Sequence, residues 1–516
     1  MRTLWYRYRA AGWLGAVSTT DLPSTSNPAV PAGSTPAPDI PDTGELPRSG
    51  LAGLLVGGLL STYTFGAVND ALPVIGHDLG ATGGALSLLL GGYAGGFAAV
   101  LIISGRLGDR YGRRTIFRIG IAAFAVTSVA AGFSTGVTTM IILRVLQGLA
   151  AGAFMPQVLS TVQATTTGPA RVRAVAAYAA VLGFGTGVGQ VLAGALIGLD
   201  LAGTGWRPVL WSGALLAVLA LAATARVPQT RSTEPSSADV IGAAMMAIFL
   251  AVLVFALSMG PSLHWPVWSM IMIAGAVLLM IVFYRHERRI ERSGRTPLAP
   301  PSILRLPALR LGLIMATVFF IGYGGLMNVF ALMSQATGGG GLGMSAMSSG
   351  ITVIPFVVAY VVASMLLSRF LRSLGSMIMI SGALAQIVGL LAMAVVVFEL
   401  SRTGSGSMTV AVAIQLPFVI VGAAQAIMFG PLMQTVMAEV PVVAAGLSGG
   451  LVSTVQQTAF GLGVAVLGGT YQLVEGTFGA ANGFTAGVLV DAAAAACFLV
   501  LALRLRARRS PEVARS

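Results

Sequence analysis

The chain has 516 residues, 56% of them hydrophobic and 9% charged, and a mean hydropathy of +0.87; soluble domains carry about 25% charged residues, so this is a membrane protein. All 30 Lys+Arg residues are arginine, which excludes a P-loop and lysine imine chemistry, and a single cysteine, Cys497, with scattered His77, His264 and His286 leaves no disulfide, thiolate cluster or HExxH-type zinc site. The net charge of +13 lies in short tracts between apolar segments and not on a basic face suited to nucleic acid, so no enzyme, cofactor or metal site is expected.

Residues 1–50 carry Pro23, Pro28, Pro31, Pro36, Pro38, Pro41 and Pro47 among Ser, Thr and Ala, a composition that predicts a disordered tail. Its partly apolar start, 4–17, is interrupted by Arg7 and Arg9, which fits an interfacial anchor or a misplaced start codon better than a signal peptide.

From Leu51 onward, apolar segments long enough to cross about 30 Å of hydrocarbon recur fourteen times. They cover 51–75, 85–104, 116–133, 138–160, 175–197, 209–225, 240–258, 267–284, 311–333, 347–367, 377–397, 408–430, 445–469 and 484–503. An even count places both termini on one side. All arginines except Arg144, Arg207 and Arg402 then fall on that side, which the positive-inside rule makes cytoplasmic.

Arg106, Leu107 and Gly112 after the second span find counterparts in Arg369, Phe370 and Gly375 after the tenth. The offset of eight spans predicts two related six-helix halves with two helices inserted between them. The expected division is a tail 1–50, a first bundle 51–225, an inserted pair with linker 226–310, a second bundle 311–503 and a cytoplasmic tail 504–516.

Charged loops commonly serve topology alone, but Gly105-Arg106-Leu107-Gly108-Asp109-Arg110-Tyr111-Gly112-Arg113-Arg114 is more particular. Its glycines permit a tight turn, and Asp109 is the one acid amid four arginines, with Arg118 a fifth just beyond. The run resembles the loop signature of the major facilitator superfamily, Gly-x-x-x-Asp-Arg-x-Gly-Arg-Arg. That resemblance implies a cytoplasmic latch stabilising an outward-facing state, with Asp109 and Arg113 as its ion pair.

Arg144 lies inside the fourth span, where a charge costs at least a few kcal/mol unless it faces protein or water. Its surroundings, Leu143-Arg144-Val145-Leu146-Gln147-Gly148-Leu149-Ala150-Ala151-Gly152, resemble the superfamily's fourth-helix motif, whose arginine is implicated in proton transfer. In the fifth span, Gly185, Gly189 and Gly194 resemble the antiporter signature Gly-x-x-x-Gly-Pro-x-x-Gly-Gly, with Gln190 in place of proline and Ala193 in place of a glycine. Small residues at this spacing equally suit plain helix packing. Residues 445–465, with Gln456-Gln457 where Arg-Gln is usual, and 349–355 following Gln335, are similar to the fourteen-helix drug:proton antiporter branch.

Two acids fall within spans, and proton coupling requires a carboxylate that titrates. Asp70 stands in Asn69-Asp70-Ala71-Leu72-Pro73, at a position where the family has Val, while the family's own Asp position is Thr64 here. Six residues is about 600° of helix rotation, so Asp70 has either taken over the missing carboxylate's task from another face or sits near the outer mouth. Asp491, in the fourteenth span, is the second candidate; its plainer role is an outer residue reaching toward water.

Tyr63 shares a face with Asp70. Thr317, Gly324, Asn328 and Gln335 form a polar stripe along the ninth span that faces a cavity or a neighbouring helix. Tyr63, Asn69, Asn328, Gln425 and Phe429 are the expected cavity residues, with Met315, Met327, Met428 and Phe330 as adaptable lining. The resemblance implies an all-α, fourteen-helix protein of the bacterial plasma membrane, a monomer that exports amphiphilic small molecules such as drugs or dyes in exchange for protons. An exporter of one endogenous metabolite or lipid-like molecule, and a non-transporting scaffold or sensor, are the alternatives.

Overall fold

A computed structural model of the protein describes residues 46–81, 83–231, 239–295, 297–374, 377–404, 406–437 and 445–513; most of the predicted tail lies outside them. Fourteen long helices follow one another: α1 Arg48–Leu79, α2 Gly84–Tyr111, α3 Arg113–Gly132, α4 Val137–Thr165, α5 Gly168–Leu199, α6 Arg207–Ala223, α7 Val240–Ser262, α8 Val267–Arg292, α9 Pro307–Gln335, α10 Ala346–Leu374, α11 Met377–Arg402, α12 Gln415–Met437, α13 Ala445–Phe478 and α14 Ala480–Val513. Among the described residues, thirteen spans pass the length and apolarity needed to cross a membrane. The remaining long helix, α13, carries Thr454, Gln456, Gln457 and Thr458 in its middle.

Local chemistry sets the boundaries. Proline opens α5, α6 and α9 within their first two positions, where a missing N–H costs nothing, and Gly80 closes α1 at φ 65°. The helices outrun the predicted spans wherever polar ends continue the helical hydrogen bonding: α14 extends through Val513, into the stretch expected as a tail. The segment predicted as one span at 408–430 is long and apolar enough to cross as one span, 408–433, with a step at Ile414 between a seven-residue helix, Ser407–Ala413, and α12.

Packing repeats with the predicted offset of eight. α1 lies on α5 and α6 as α9 lies on α13 and α14; α2 and α3 pack on α4 as α10 and α11 pack on α12; α3 meets α6 as α11 meets α14. Internal prolines repeat as well, Pro156 in α4 and Pro431 in α12. The two bundles touch mainly through α5 against α10 and α2 against α13. α7 packs on both α2 and α13, bridging the bundles, while α8 packs chiefly on α7. Accordingly α1, α2 and α9 bury 72% of their most apolar stretch and α8 only 17%, and Val267, Ile271, Val277 and Leu278 of α8 face outward as lipid-exposed residues do.

Candidate functional site: an aromatic cleft beneath a polar seam

Between the bundles, near the middle of α9, lies a cleft of about 20 Å³ lined by Leu182, Gly183 and Thr186 of α5, Phe319, Phe320 and Tyr323 of α9, Tyr360 of α10, Phe429 of α12, and Gln456 and Phe460 of α13. Its walls are aromatic pairs: Phe319 stacks with Phe429 at 6.0 Å, Phe320 meets Phe460 edge-on at 5.4 Å, and Phe65 of α1 stacks on Phe460 at 5.2 Å. No charged side chain lines it. A space of this size holds about one water, whereas drug-sized ligands need about 300 Å³ or more, so the cleft is contracted.

Above it, toward the α1–α2 turn, α1 is sewn to the second bundle. Asn69 Nδ2 donates to the Met327 carbonyl at 2.8 Å, and Asn328 Nδ2 donates to Asn69 Oδ1 at 3.1 Å. Gln335 Nε2 donates to the Asp70 carbonyl at 2.8 Å, and Ser349 Oγ donates to Asp70 Oδ1 at 2.9 Å. Asp70 is fully buried, and its Oδ2 finds no hydrogen-bond partner. Five residues separate Phe65 from Asp70, so the seam sits about 7 Å above the cleft along α1. The polar stripe of α9, which the sequence left between cavity and neighbouring helix, thus turns Asn328 and Gln335 onto α1. In membrane interiors such bonds average about 0.6 kcal/mol each, so four supply about 2 kcal/mol, enough to favour closure and small enough to reverse.

Of the expected cavity residues, only Phe429 lines the cleft. Asn69 and Asn328 belong to the seam. Tyr63 pairs its hydroxyl with Ser212 Oγ of α6 at 2.5 Å inside the first bundle. Gln425, one turn before Phe429, is buried with neither amide atom hydrogen-bonded. Met315, Met327, Met428 and Phe330 are buried but not on the cleft wall; Phe330 packs on Phe418 at 4.9 Å and Met428 lies against Gly382. The sequence reading missed Phe319, Phe320, Tyr323, Tyr360, Gln456 and Phe460. A signal existed for the α9 group, because 319, 320 and 323 share a helix face, but aromatics on a core face and on a cleft face look alike.

The three coupling candidates occupy separate networks. Arg144 is fully buried among α2, α3 and α4: Nε donates to the Leu89 carbonyl at 2.9 Å, Nη1 donates to Gln147 Oε1, and the guanidinium lies 4.3 Å from the Tyr93 ring centre. Gln147 Nε2 in turn donates to Ser128 Oγ at 2.6 Å, and Tyr93 Oη donates to the Ser61 carbonyl of α1 at 2.9 Å. Asp491 is buried in α14 directly behind Gly322, where a methyl group would overlap its Oδ1; Oδ2 is unpaired. Gly322 adjoins Tyr323 of the cleft, so this acid backs the aromatic wall without lining it.

The gate motif is not a loop: α2 stays helical through Tyr111, and the turn is the single residue Gly112 at φ 102°, a backbone conformation that favours glycine. Gly112 also meets the Gln229 amide, which a side chain would strike. Asp109 Oδ1 accepts from Arg113 Nη2 at 2.8 Å, Arg113 Nη1 reaches the Ser160 carbonyl at 3.4 Å, and Arg114 Nη1 the Val227 carbonyl at 3.0 Å. Arg110 is exposed beside Tyr111, and Gly105 sits in ordinary contact with Pro156. In its second copy α10 is helical through Leu374, and Gly375 lies outside the described residues.

The α5 glycines divide between two partners. A Cβ at Gly185 or Gly189 would strike Thr62 or the Tyr63 carbonyl of α1, and one at Gly194 the Ala346 backbone of α10. Gln190, in the place of the motif's proline, is buried with both amide atoms unpaired, and Gly350 of α10 packs on its carbonyl.

Two eight-helix-offset bundles enclosing a midplane cleft define a multi-pass membrane transporter of small molecules. Residues 54–464 match the Major Facilitator Superfamily, and the chain belongs to that superfamily. The probable actinorhodin transporter of Streptomyces coelicolor is 30% identical over 438 residues, covering 84% of this chain and 74% of that protein. The tetracenomycin C resistance and export protein of Streptomyces glaucescens is 29% identical over 439 residues, 82% and 77% of the two chains. The puromycin resistance protein pur8 of Streptomyces alboniger is 30% identical over 426 residues, 81% and 80%. Among solved structures, a POT family transporter in complex with 5-aminolevulinic acid aligns with a TM-score of 0.62 at 13% identity, covering 88% of this chain and 96% of that one. The xylose transporter XylE from E. coli, in a partially occluded inward open conformation, aligns with a TM-score of 0.55 at 15% identity, covering 88% and 98%. These structures share the fold.

Proposed function

We propose that this protein is a proton-coupled exporter of amphiphilic aromatic molecules, working by alternating access as a monomer in a bacterial plasma membrane with both termini cytoplasmic. One observation carries the reading: an aromatic cleft walled by both bundles lies directly beneath a seam that buries an acid, Asp70, between them. The relatives' names, which speak of antibiotic export and resistance, point to the same class of cargo. The packing offset supports a division into two bundles and an inserted pair with linker, flanked in this reading by an N-terminal tail and a C-terminal segment.

In this reading substrate enters from the Arg-rich side, where the Asp109–Arg113 pair and the Gly112 turn hold α2 and α3 together. Rings of the cargo replace ring contacts such as Phe319–Phe429 and Phe320–Phe460, each worth about 0.5–1.5 kcal/mol. Opening the Asn69–Asn328 and Asp70–Ser349 contacts exposes the cleft outward and gives Asp70 access to outside water. In this reading Asp70 meets water on one side at a time and its protonation and cargo binding exclude each other, so the proton and the cargo move in opposite directions. With no P-loop, the driving force is the ion gradient, about 2.3 kcal/mol per charge at 100 mV. Arg144 and Asp491 are second-rank coupling candidates, since neither bridges the bundles.

The test is ethidium transport in proteoliposomes of purified protein under an imposed pH gradient. Gradient-driven movement abolished by a protonophore is the expected result. Ethidium that binds but never moves would favour a binding protein, and movement indifferent to the protonophore would refute proton exchange.

A further inference from the structure

Where the inserted pair meets the end of α2, three side chains converge that the transport reading leaves unused. Asp239 immediately precedes α7; its Oδ1 accepts from the Gly242 backbone N–H at 2.9 Å and lies 3.2 Å from His286 Nε2 on α8. The neighbouring Glu287 uses Oε2 to accept from the Ala299 N–H at 2.7 Å. Each carboxylate keeps one buried oxygen without a hydrogen-bond partner, Asp239 Oδ2 and Glu287 Oε1, although the residues are only 9% and 1% exposed. Both unpaired oxygens aim at one point over Gly242: a methyl group there would overlap Asp239 Oδ2 and come within 2.7 Å of Glu287 Oε1. Ala243, Phe283, Leu298 and Ala299 form an apolar cluster at the same junction.

Two buried carboxylates facing a common point need either a shared proton or a cation between them. Arg106, at the end of α2, lies within Coulombic reach of both, but it also donates to the Pro297 carbonyl, and the two oxygens remain unpaired. The ligand atoms of Asp239, His286 and Glu287 all lie within 4.8 Å of one another. One imidazole with two carboxylates suits a first-row transition cation; Mg²⁺ and Ca²⁺ take all-oxygen sites.

We infer that Asp239, His286 and Glu287 form a binding site for a divalent first-row transition cation, of which Zn²⁺ is the prototype. Gly242 leaves the space the ion needs. The bound ion joins the start of α7 to the end of α8, beside the 297–299 segment that Arg106 holds, and so fastens the inserted pair to the helix end that carries the gate motif. The sequence separation of 47 between Asp239 and His286 hides this grouping from any spacing rule for metal ligands.

Chelator-stripped full-length protein in detergent, titrated with ZnCl2 and passed through a desalting column, tests it by metal content, alongside Co²⁺ titration read by its visible absorption. The expected result is one retained Zn²⁺ per chain and Co²⁺ bands of a low-coordinate nitrogen/oxygen site. Affinity should fall at least tenfold in Glu287→Gln and in Asp239→Asn. Gly242→Ala, which keeps all three ligands, should also weaken binding; unchanged size-exclusion profiles and thermal midpoints without metal would show that the variants fold. No retained Zn²⁺ in the wild type, or equal retention in Glu287→Gln, overturns the inference.

Discussion

At the scale of single residues, the cost of a charge in hydrocarbon ranks the side chains before any contact is known. That cost singles out Asp70, Arg144 and Asp491 in the sequence, and all three are fully or almost fully buried. What the sequence does not show is their partners, because Ser349 and Gln335 lie more than 260 residues from Asp70. Arg144 stays charged by replacing water with the Leu89 carbonyl, Gln147 and the face of Tyr93. Removing it in Arg144→Ala leaves a buried carbonyl and amide unsatisfied, at about 1–3 kcal/mol each. The expected outcome is a clearly lowered thermal midpoint in detergent, with Arg144→Lys intermediate because an ammonium cannot fork to two acceptors and lie flat on a ring. At the cleft, Phe460 touches Phe65, Phe320 and Tyr323. Phe460→Ala is therefore expected to weaken ethidium binding about threefold to tenfold, as loss of aromatic contact worth about 0.5–1.5 kcal/mol requires, measured by fluorescence titration.

At the scale of helices, α5 shows how one sequence pattern serves two interfaces. Gly185, Gly189 and Gly194 are legible as a small-residue stripe, but a stripe alone does not say which neighbour it faces. In the fold Gly189 abuts the α1 backbone within one bundle, while Gly194 abuts the α10 backbone across the two. The two substitutions therefore separate. Gly189→Ala pushes on Tyr63 and Ala67 inside a bundle and is expected to lower the thermal midpoint. Gly194→Ala is expected to leave the fold intact but hold α5 off α10, raising labelling of a cysteine introduced at Ser349 by a membrane-impermeant maleimide in a Cys497→Ser background. The gate motif teaches a related lesson. Glycines at 105, 108 and 112 suggest a loop, yet only Gly112 takes a left-handed backbone; Gly108 is helical, and its missing side chain leaves room for the Gln157 amide.

At the scale of the molecule, the many-span helical architecture, thirteen of whose fourteen expected spans are long and apolar enough to cross a membrane among the described residues, was readable from apolar length, since a bilayer allows few alternatives. The cleft was not, because its walls come from five helices and each contributes residues that an ordinary core would also choose. The bridging position of α7 against α2 and α13 was likewise invisible. If the seam is the outer gate, a pair of cysteines at positions 69 and 328, whose side chains meet at 3.1 Å, joined by a short reversible crosslinker should stop transport in the Cys497→Ser background, and reduction should restore the loss caused by crosslinking.

The central claim is that Asp70 couples proton movement to the opening of this seam. Its most direct measurement compares wild type with Asp70→Asn in proteoliposomes, following ethidium transport under an imposed pH gradient together with ethidium binding. The account predicts that Asp70→Asn binds the dye as the wild type does but loses gradient-driven transport. Gradient-driven transport at the wild-type rate in Asp70→Asn would contradict it and move coupling to Asp491 or Arg144.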